Sequence, residues 1–232
     1  MIPILPADPE SAFPASKEAL EYPQGLLAAG GDLSPARLVN AYRHGIFPWY
    51  SEGEPILWWS PAPRCVLYPE RVHISRRLRR HYNQADFTLT ADRAFARVIK
   101  ACSETRRDGG GTWLTSEMLD AYIELHTIGV THSVEVWLGE ELVGGVYGLA
   151  LGRVFFGESM FSKISDASKI ALVALCRQLV EWNFTLLDCQ VSNPHLLSMG
   201  AEEVSRVVFE QHLAGTVATD HWQSNFHTVP RW

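Results

Sequence analysis

Two polar side chains stand out in an apolar run near the end of the chain. In Leu186-Leu-Asp-Cys-Gln-Val191, read as a strand, Asp188 and Gln190 share one face while Leu187, Cys189 and Val191 take the other. A carboxylate and an amide on one face of so apolar a strand are either a buried hydrogen-bonded pair or part of a site. Glu158, in Gly157-Glu-Ser-Met-Phe161, poses the same choice: it ends an apolar strand, where a carboxylate lies at a cleft or in a structural ion pair. Cys189 has no local His or motif that would make it a nucleophile.

Other features suit a polyanion. A short helix over Ser75 to Tyr82 faces Ile74, Leu78 and Tyr82 inward and leaves Arg76, Arg77, Arg79 and Arg80 largely outward. Arginines in a first turn oppose the helix dipole, at about 0.3–1 kcal/mol each, and phosphate contact would offset that cost. The alternative is a solvated face with acidic partners. Trp49, Trp58 and Trp59 could stack on bases of a single-stranded end, but a small domain also needs such side chains for its core. Trp58 and Trp59 fit the core better. Trp49 follows Pro48 in a tight loop and fits a site better. Arg106-Arg-Asp-Gly109-Gly-Gly111 matches the short loop by which GNAT acetyltransferases hold the CoA pyrophosphate. It precedes the strand meander it should follow, so it argues poorly for CoA.

These residues need a scaffold. Ser34 caps a helix opened by Pro35 and stopped by Gly45, and residues 1–32 read as irregular. Val66 to Pro69 is a short strand; a strand and a helix fill 87–100; Thr115 or Ser116 caps the next helix. Runs at 133–138, 142–151 and 154–161, joined at Gly139-Glu140 and Gly152-Arg153, are hairpin-linked strands. Ser165 or Asp166 caps a helix over 167–182 that is apolar nearly all round and must be buried. A strand at 186–191, a helix near 194–199 and an ill-defined C-terminus follow. The expected fold is α/β (α+β, with a mixed sheet): a small domain over 1–62, then a larger one over 63–232.

Apolar residues make up 47% of the 232 and charged residues 20%, a globular balance. No run reaches the ~18 apolar residues of a membrane span, and the first residues lack a basic, apolar leader, so a cytoplasmic protein is expected. The four cysteines form no CxxC pair, and no His cluster has ligand spacing, so no metal is expected. Net charge is −6, yet 64–107 carries +7 and the remainder −13. That asymmetry suggests two surfaces with different partners.

At these residues the chain closely resembles the leucyl/phenylalanyl-tRNA–protein transferases. The matching stretches are GLLAAGGDLS from Gly25, GIFPW from Gly45, ILWWSP from Ile56, His73-Ile-Ser75, Gly111-Thr-Trp113, HSVEVW from His132, ELVGG from Glu141, GESMFS from Gly157 and DCQV from Asp188. They run in order across most of the chain, and together they are highly specific. The glycine loop looks longer than in the family pattern.

The resemblance implies an N-terminal domain of unusual fold, a GNAT-like C-terminal domain and no cofactor. It implies transfer of Leu, Phe or, less well, Met from aminoacyl-tRNA to proteins with N-terminal Arg or Lys, marking them for N-end-rule degradation. Carried over residue by residue, Asp188, Gln190 and Glu158 would surround the reacting centre. Val146, Phe155, Ser159, Leu172, Leu175, Leu179 and Leu187 would line the side-chain pocket. Trp49, Trp113 and Tyr122 would hold the tRNA 3′ end, and Arg76, Arg77, Arg79 and Arg80 its acceptor stem. Gln190 and Asp188 would orient the attacking amine. Asp188 or a terminal tRNA hydroxyl would relay its proton, and Glu158 would bind the donor's α-ammonium or the cationic acceptor. A monomer is expected. A CoA-dependent acyltransferase, a non-catalytic RNA-binding module and a tRNA-dependent transferase acting on a lipid-linked amine are the rival readings.

Overall fold

The computed structural model describes residues 2–107, 114–214, 222–223, 225–227 and 231–232. The chain builds two sheets. The first uses β1 (Ile4–Leu5), β2 (Leu26–Gly30), β3 (Phe47–Pro48) and β4 (Leu57–Trp59) in the order β1-β2-β4-β3, beside helix α1 (Pro35–Arg43). Ser34 caps α1 through the Arg37 amide, as its sequence signals require. The reading of 1–32 as irregular is corrected: β1 and β2 pair in parallel. Both are short, and one is flanked by proline, so neither carries a strand pattern.

The second sheet has seven strands. These are β5 (Arg64–Leu67), β6 (Phe87–Ala91), β7 (Thr131–Leu138), β8 (Glu141–Leu151), β9 (Val154–Ser162), β10 (Leu186–Gln190) and β11 (Glu202–Val204), ordered β11-β5-β10-β9-β8-β7-β6. The β7–β8 and β8–β9 hairpins turn at Gly139-Glu140 and Gly152-Arg153, with both glycines at positive φ. Helix α5 (Ala167–Glu181) connects β9 to β10, and those two strands are parallel. Its sequence is apolar nearly all round because it packs across β7, β8 and β9 on one face while α2 (Arg76–Gln84) covers it from outside. On the opposite face lie α3 (Phe95–Arg107), α4 (Ser116–Thr127) and α1.

The expected cap of α5 is also corrected. Asp166 sits at the N-cap in a left-handed conformation and makes no cap bond; the Ser168 amide donates to Ser162 Oγ instead. The Asp166 carboxylate faces His81 of α2 at 3.5 Å and Lys169 at 3.4 Å, tying the two helices together. After α6 (Pro194–Ser198) the chain, expected to be ill-defined, forms β11 and α7 (Arg206–Ala214). Helix α7 returns over the first sheet. Arg206 donates to the Ser60 hydroxyl and carbonyl, and Phe209 packs where Gly45 leaves room: a Cβ there would meet its ring at 2.6 Å. Among the described residues no helix is long and apolar enough to cross a membrane.

Candidate active site

The parallel strands β9 and β10 pair only as far as Phe156 and Asp188, then part. Each carries a bulge just where they separate. On β9, Tyr147 opposes Ser159 and Gly148 opposes Gly157, so Glu158 is the extra residue. On β10, Val66 opposes Asp188 and Cys65 opposes Gln190, so Cys189 is extra. Bulges bend a strand and re-aim its side chains. Gly148 makes the first one possible, because a Cβ there would stand 2.0 Å from the Phe156 carbonyl oxygen.

The second bulge breaks the alternation expected for Asp188 and Gln190. Gln190 takes φ +63°, a costly conformation for a side-chain-bearing residue, held by its amide donating to Asp188 Oδ1 at 3.0 Å. Its side chain then reaches across the gap, and Nε2 donates to Glu158 Oε1 at 2.8 Å. That contact fixes which way the amide points: its NH2 faces the carboxyl, leaving its oxygen free to accept.

Asp188 does not face the gap. It is fully buried behind Gln190, with Oδ1 and Oδ2 accepting from Arg64 Nε at 2.8 Å and Nη2 at 2.7 Å. Arg64, equally buried, also donates to the Gly45 carbonyl at 3.0 Å and lies over the rings of Phe47 and Phe209. The sequence reading missed Arg64. Its one signal is a guanidinium in the otherwise apolar strand RCVL.

Glu158 is buried among donors. Tyr42 Oη stands 2.7 Å from Oε1 and Tyr122 Oη 3.0 Å from Oε2, and the two phenols touch each other at 2.5 Å. An ionised Glu158 gives these three contacts only the two phenolic protons. With Tyr42 donating to Oε1 and Tyr122 to Oε2, the phenol–phenol contact is left without a proton, and one further proton on the Glu158 carboxyl lets all three contacts be satisfied together. Oε1 then accepts from Tyr42 and Gln190, as a carbonyl oxygen does. Burial pushes the Glu158 carboxyl up to about 7, outweighing the hydrogen bonds from Tyr42, Tyr122 and Gln190. Burial and the Glu158 charge push both phenols well above their ordinary range, so they remain donors.

The folded protein therefore holds a proton on Glu158 that the unfolded chain releases near 4.5, and this contribution to stability falls as pH rises to about 7. Glu158→Gln reproduces the neutral acid. Its stability relative to wild type is expected to be greater by about 3 kcal/mol at pH 8 than at pH 4, read by urea unfolding. A pH-independent difference would contradict the protonated carboxyl.

Beyond Gln190 and Glu158 the parting strands open a cavity of about 320 Å³. Val146, Leu172, Leu187, Met160 and Leu196 make its apolar wall, with Ser159 among them. Phe47, Pro48 and Trp49 form the side nearest the first sheet, and Trp49 is 47% exposed at the rim, its ring against Trp59. Cys189, Val191, Asn193 and His195 complete the lining. The Cys189 thiol is pushed well above its ordinary range by neighbouring Cys65 and by burial.

Of the expected pocket residues, Val146, Ser159, Leu172 and Leu187 meet at the cavity. Phe155, Leu175 and Leu179 do not line it; Phe155 of β9 and the two leucines of α5 are buried in the core between helix and sheet. Met160 and Leu196 take wall positions that the sequence reading did not assign. Tyr122 is fully buried against Glu158 and presents no surface to an RNA end. Trp113 and the loop at 109–111 lie outside the described residues. Trp58 is buried, donating to the Gly30 carbonyl. Arg76, Arg77, Arg79 and Arg80 are all exposed on α2 and form no ion pair among the described residues.

Comparison with known proteins places two family models on the chain. The leucyl/phenylalanyl-tRNA protein transferase model matches residues 66–214, and the model of that family's N-terminal domain matches 31–62. A leucyl/phenylalanyl-tRNA–protein transferase of Aromatoleum aromaticum is 58% identical over 232 residues, covering 100% of this chain and 94% of its own. That of Teredinibacter turnerae is 58% identical over 203 residues, 87% of this chain and 78% of its own. That of Stutzerimonas stutzeri is 55% identical, covering 88% and 90%. Among solved structures, a conserved protein of unknown function from Bacteroides thetaiotaomicron aligns at 12% identity with a TM-score of 0.43, over 58% of this chain and 53% of that one.

Proposed function

Because the chain belongs to the leucyl/phenylalanyl-tRNA–protein transferase family, we propose that the gap between β9 and β10 is where a leucyl, phenylalanyl or methionyl group passes from its tRNA to the N-terminal Arg or Lys of a protein. The observation that carries this reading is the Gln190–Glu158 pair at the mouth of an apolar cavity with Trp49 on its rim.

The donor is an ester and the product an amide. An α-amine of ordinary pKa, about 7.7–8.0, is partly neutral at pH 7 and needs chiefly to be aligned with the ester carbon, worth up to about 7–11 kcal/mol. The transferred side chain fills the apolar wall. The terminal adenine stacks at Trp49, and the acceptor stem lies along Arg76, Arg77, Arg79 and Arg80. Gln190 presents its carbonyl oxygen to the amine hydrogens. Glu158 meets a cationic α-ammonium and ionises as it does so. Asp188 acts through Gln190 and Arg64. The C–N bond forms, the C–O bond to ribose breaks, and the ribose oxygen leaves with a proton. The product is tagged for N-end-rule degradation.

We read residues 1–62 as a small domain of unusual fold and 63–232 as a GNAT-like domain. Support comes from the separate family matches and from the mixed sheet whose two parallel strands part at the site.

With Leu175 buried in the core, the side-chain preference is tested at Leu172. Leu172→Ala opens the cavity where a larger ring would extend. The ratio of kcat/KM for Phe-tRNA over Leu-tRNA is expected to rise at least about tenfold. An unchanged ratio would place the transferred side chain elsewhere.

A further inference from the structure

An acceptor that begins with Arg or Lys carries a cation at the far end of a long side chain, and a carboxylate is the group that fits it. The two carboxyls already described at the gap are engaged. Glu158 shares its oxygens with Tyr42, Tyr122 and Gln190. Asp188 is buried under Gln190 and neutralised by Arg64. Glu203 of β11 differs from both. It is exposed and forms no ion pair among the described residues.

Register and a side-chain contact place this carboxylate beside the gap. Cys65 of β5 pairs with Glu203 on one side and with Gln190 on the other. Two strand spacings, about 10 Å, therefore separate the backbones of Glu203 and Gln190. Residues opposite one another in a ladder project to one face of the sheet. Cys65 packs in the same core cluster as Val146, Leu172, Leu187 and Leu196 of the cavity wall, so Glu203 emerges on the cavity's side. Ser192 ties it there, its Oγ donating to Glu203 Oε1 at 2.5 Å. Ser192 stands between Val191 and Asn193, which both line the cavity, and two residues from Gln190, at most about 7 Å along the chain.

We propose that Glu203 receives the guanidinium or ammonium of the acceptor's first side chain and so selects N-terminal Arg or Lys. This rests on the transferase reading above and deepens it. With the α-amine at the Gln190 carbonyl oxygen, the first side chain of the acceptor has the two-strand interval to cross. Arg and Lys are long enough to cross it and end in a charge; short or apolar side chains leave the carboxylate without a partner. A carboxylate accepts at both oxygens, and Ser192 takes one position on one of them, so room remains for a cation. The contact lies in reach of solvent, so it contributes selectivity and steering more than raw affinity.

The test compares a peptide beginning with Arg and one beginning with citrulline, the uncharged isostere of Arg, at saturating Leu-tRNA. Wild type should prefer the Arg peptide in kcat/KM, and Glu203→Gln should lower that preference about tenfold. The loss should fall in the KM of the Arg peptide rather than in kcat. Glu203→Asp, which keeps the charge, should keep most of the preference, and Glu203→Arg should turn it against the Arg peptide. A preference unchanged in Glu203→Gln, or an equal loss for both peptides, overturns the proposal. If Glu203→Gln does not fold, the decision falls to the wild-type protein carrying ¹³C-carboxyl glutamate. The Glu203 resonance must then shift with the Arg peptide at a concentration that saturates turnover, and an unmoved resonance overturns the proposal. Failure of the transferase reading is separate, since wild type itself would then transfer to neither peptide.

Discussion

Asp188→Asn is expected to cost about 3–5 kcal/mol of folding stability and, where the variant is still folded, to lower kcat on the order of 100-fold without moving the pH profile. The first effect follows from Arg64. Its guanidinium is buried and neutralised by both Asp188 oxygens, at 2.8 and 2.7 Å. Asn leaves that charge in a dry site with an NH2 turned toward it. The second effect follows from the Gln190 amide, which donates to Asp188 Oδ1 and holds the positive φ that points the side chain at Glu158; a neutral Asn oxygen holds that amide less strongly than a carboxylate does. The double variant Arg64→Met, Asp188→Leu separates the two. Replacing a buried ion pair with apolar side chains of similar size is often neutral or stabilising, so stability should return. Activity should not, because leucine offers the Gln190 amide no acceptor at all. Urea unfolding alongside steady-state kinetics decides this. If Asp188 relayed the proton instead, Asp188→Asn would remove a limb of the pH profile.

Changing Arg76, Arg77, Arg79 and Arg80 together to Gln should weaken aminoacyl-tRNA binding on the order of 100-fold at low salt. The slope of log affinity against log salt should fall by about 3, close to one unit per phosphate contact. The fold should tolerate this, since all four side chains are exposed and form no ion pair among the described residues, while Leu78 and Tyr82 hold α2 in place. Arg76 and Arg77 also oppose the dipole of α2, so removing them should leave the melting temperature unchanged or slightly raised. The kcat at saturating tRNA and the choice between Leu and Phe should stay as in wild type. Filter binding across a salt series measures the slope; an unchanged slope would mean that the acceptor stem lies on another face.

Local chemistry made much of this legible. The Ser34 cap, the glycine turns of the hairpins, the outward arginines of α2 and the buried α5 each follow from a few neighbouring residues. What the sequence hides is non-local. Strands β1 and β11 are too short for a pattern, β2 (Leu-Leu-Ala-Ala-Gly) has no polar residue to mark an alternation, and all three exist because a partner lies alongside. The side chain of Gln190 cannot be aimed by counting residues, because the bulge at Cys189 breaks the two-residue period on which such counting depends. Arg64 lies more than a hundred residues from Asp188 in sequence, and nothing local announces their pairing. Tyr42 and Glu158 are likewise brought together from opposite halves of the chain. The residues that the family resemblance assigned to one pocket divide between the cavity wall and the buried core. Leu172 and Leu175 lie one helical turn apart, and only packing decides that the first faces the cavity.

Aminoacyl transfer is measured by incubating the purified protein with radiolabelled Leu-tRNA and either of two peptides, one beginning with Arg and one with Ala. RNase-resistant label should appear on the Arg peptide alone, and Gln190→Ala should abolish most of it while leaving tRNA binding intact. Label on neither peptide, with the protein folded and the tRNA charged, or full transfer by Gln190→Ala, would contradict transfer at the gap between β9 and β10.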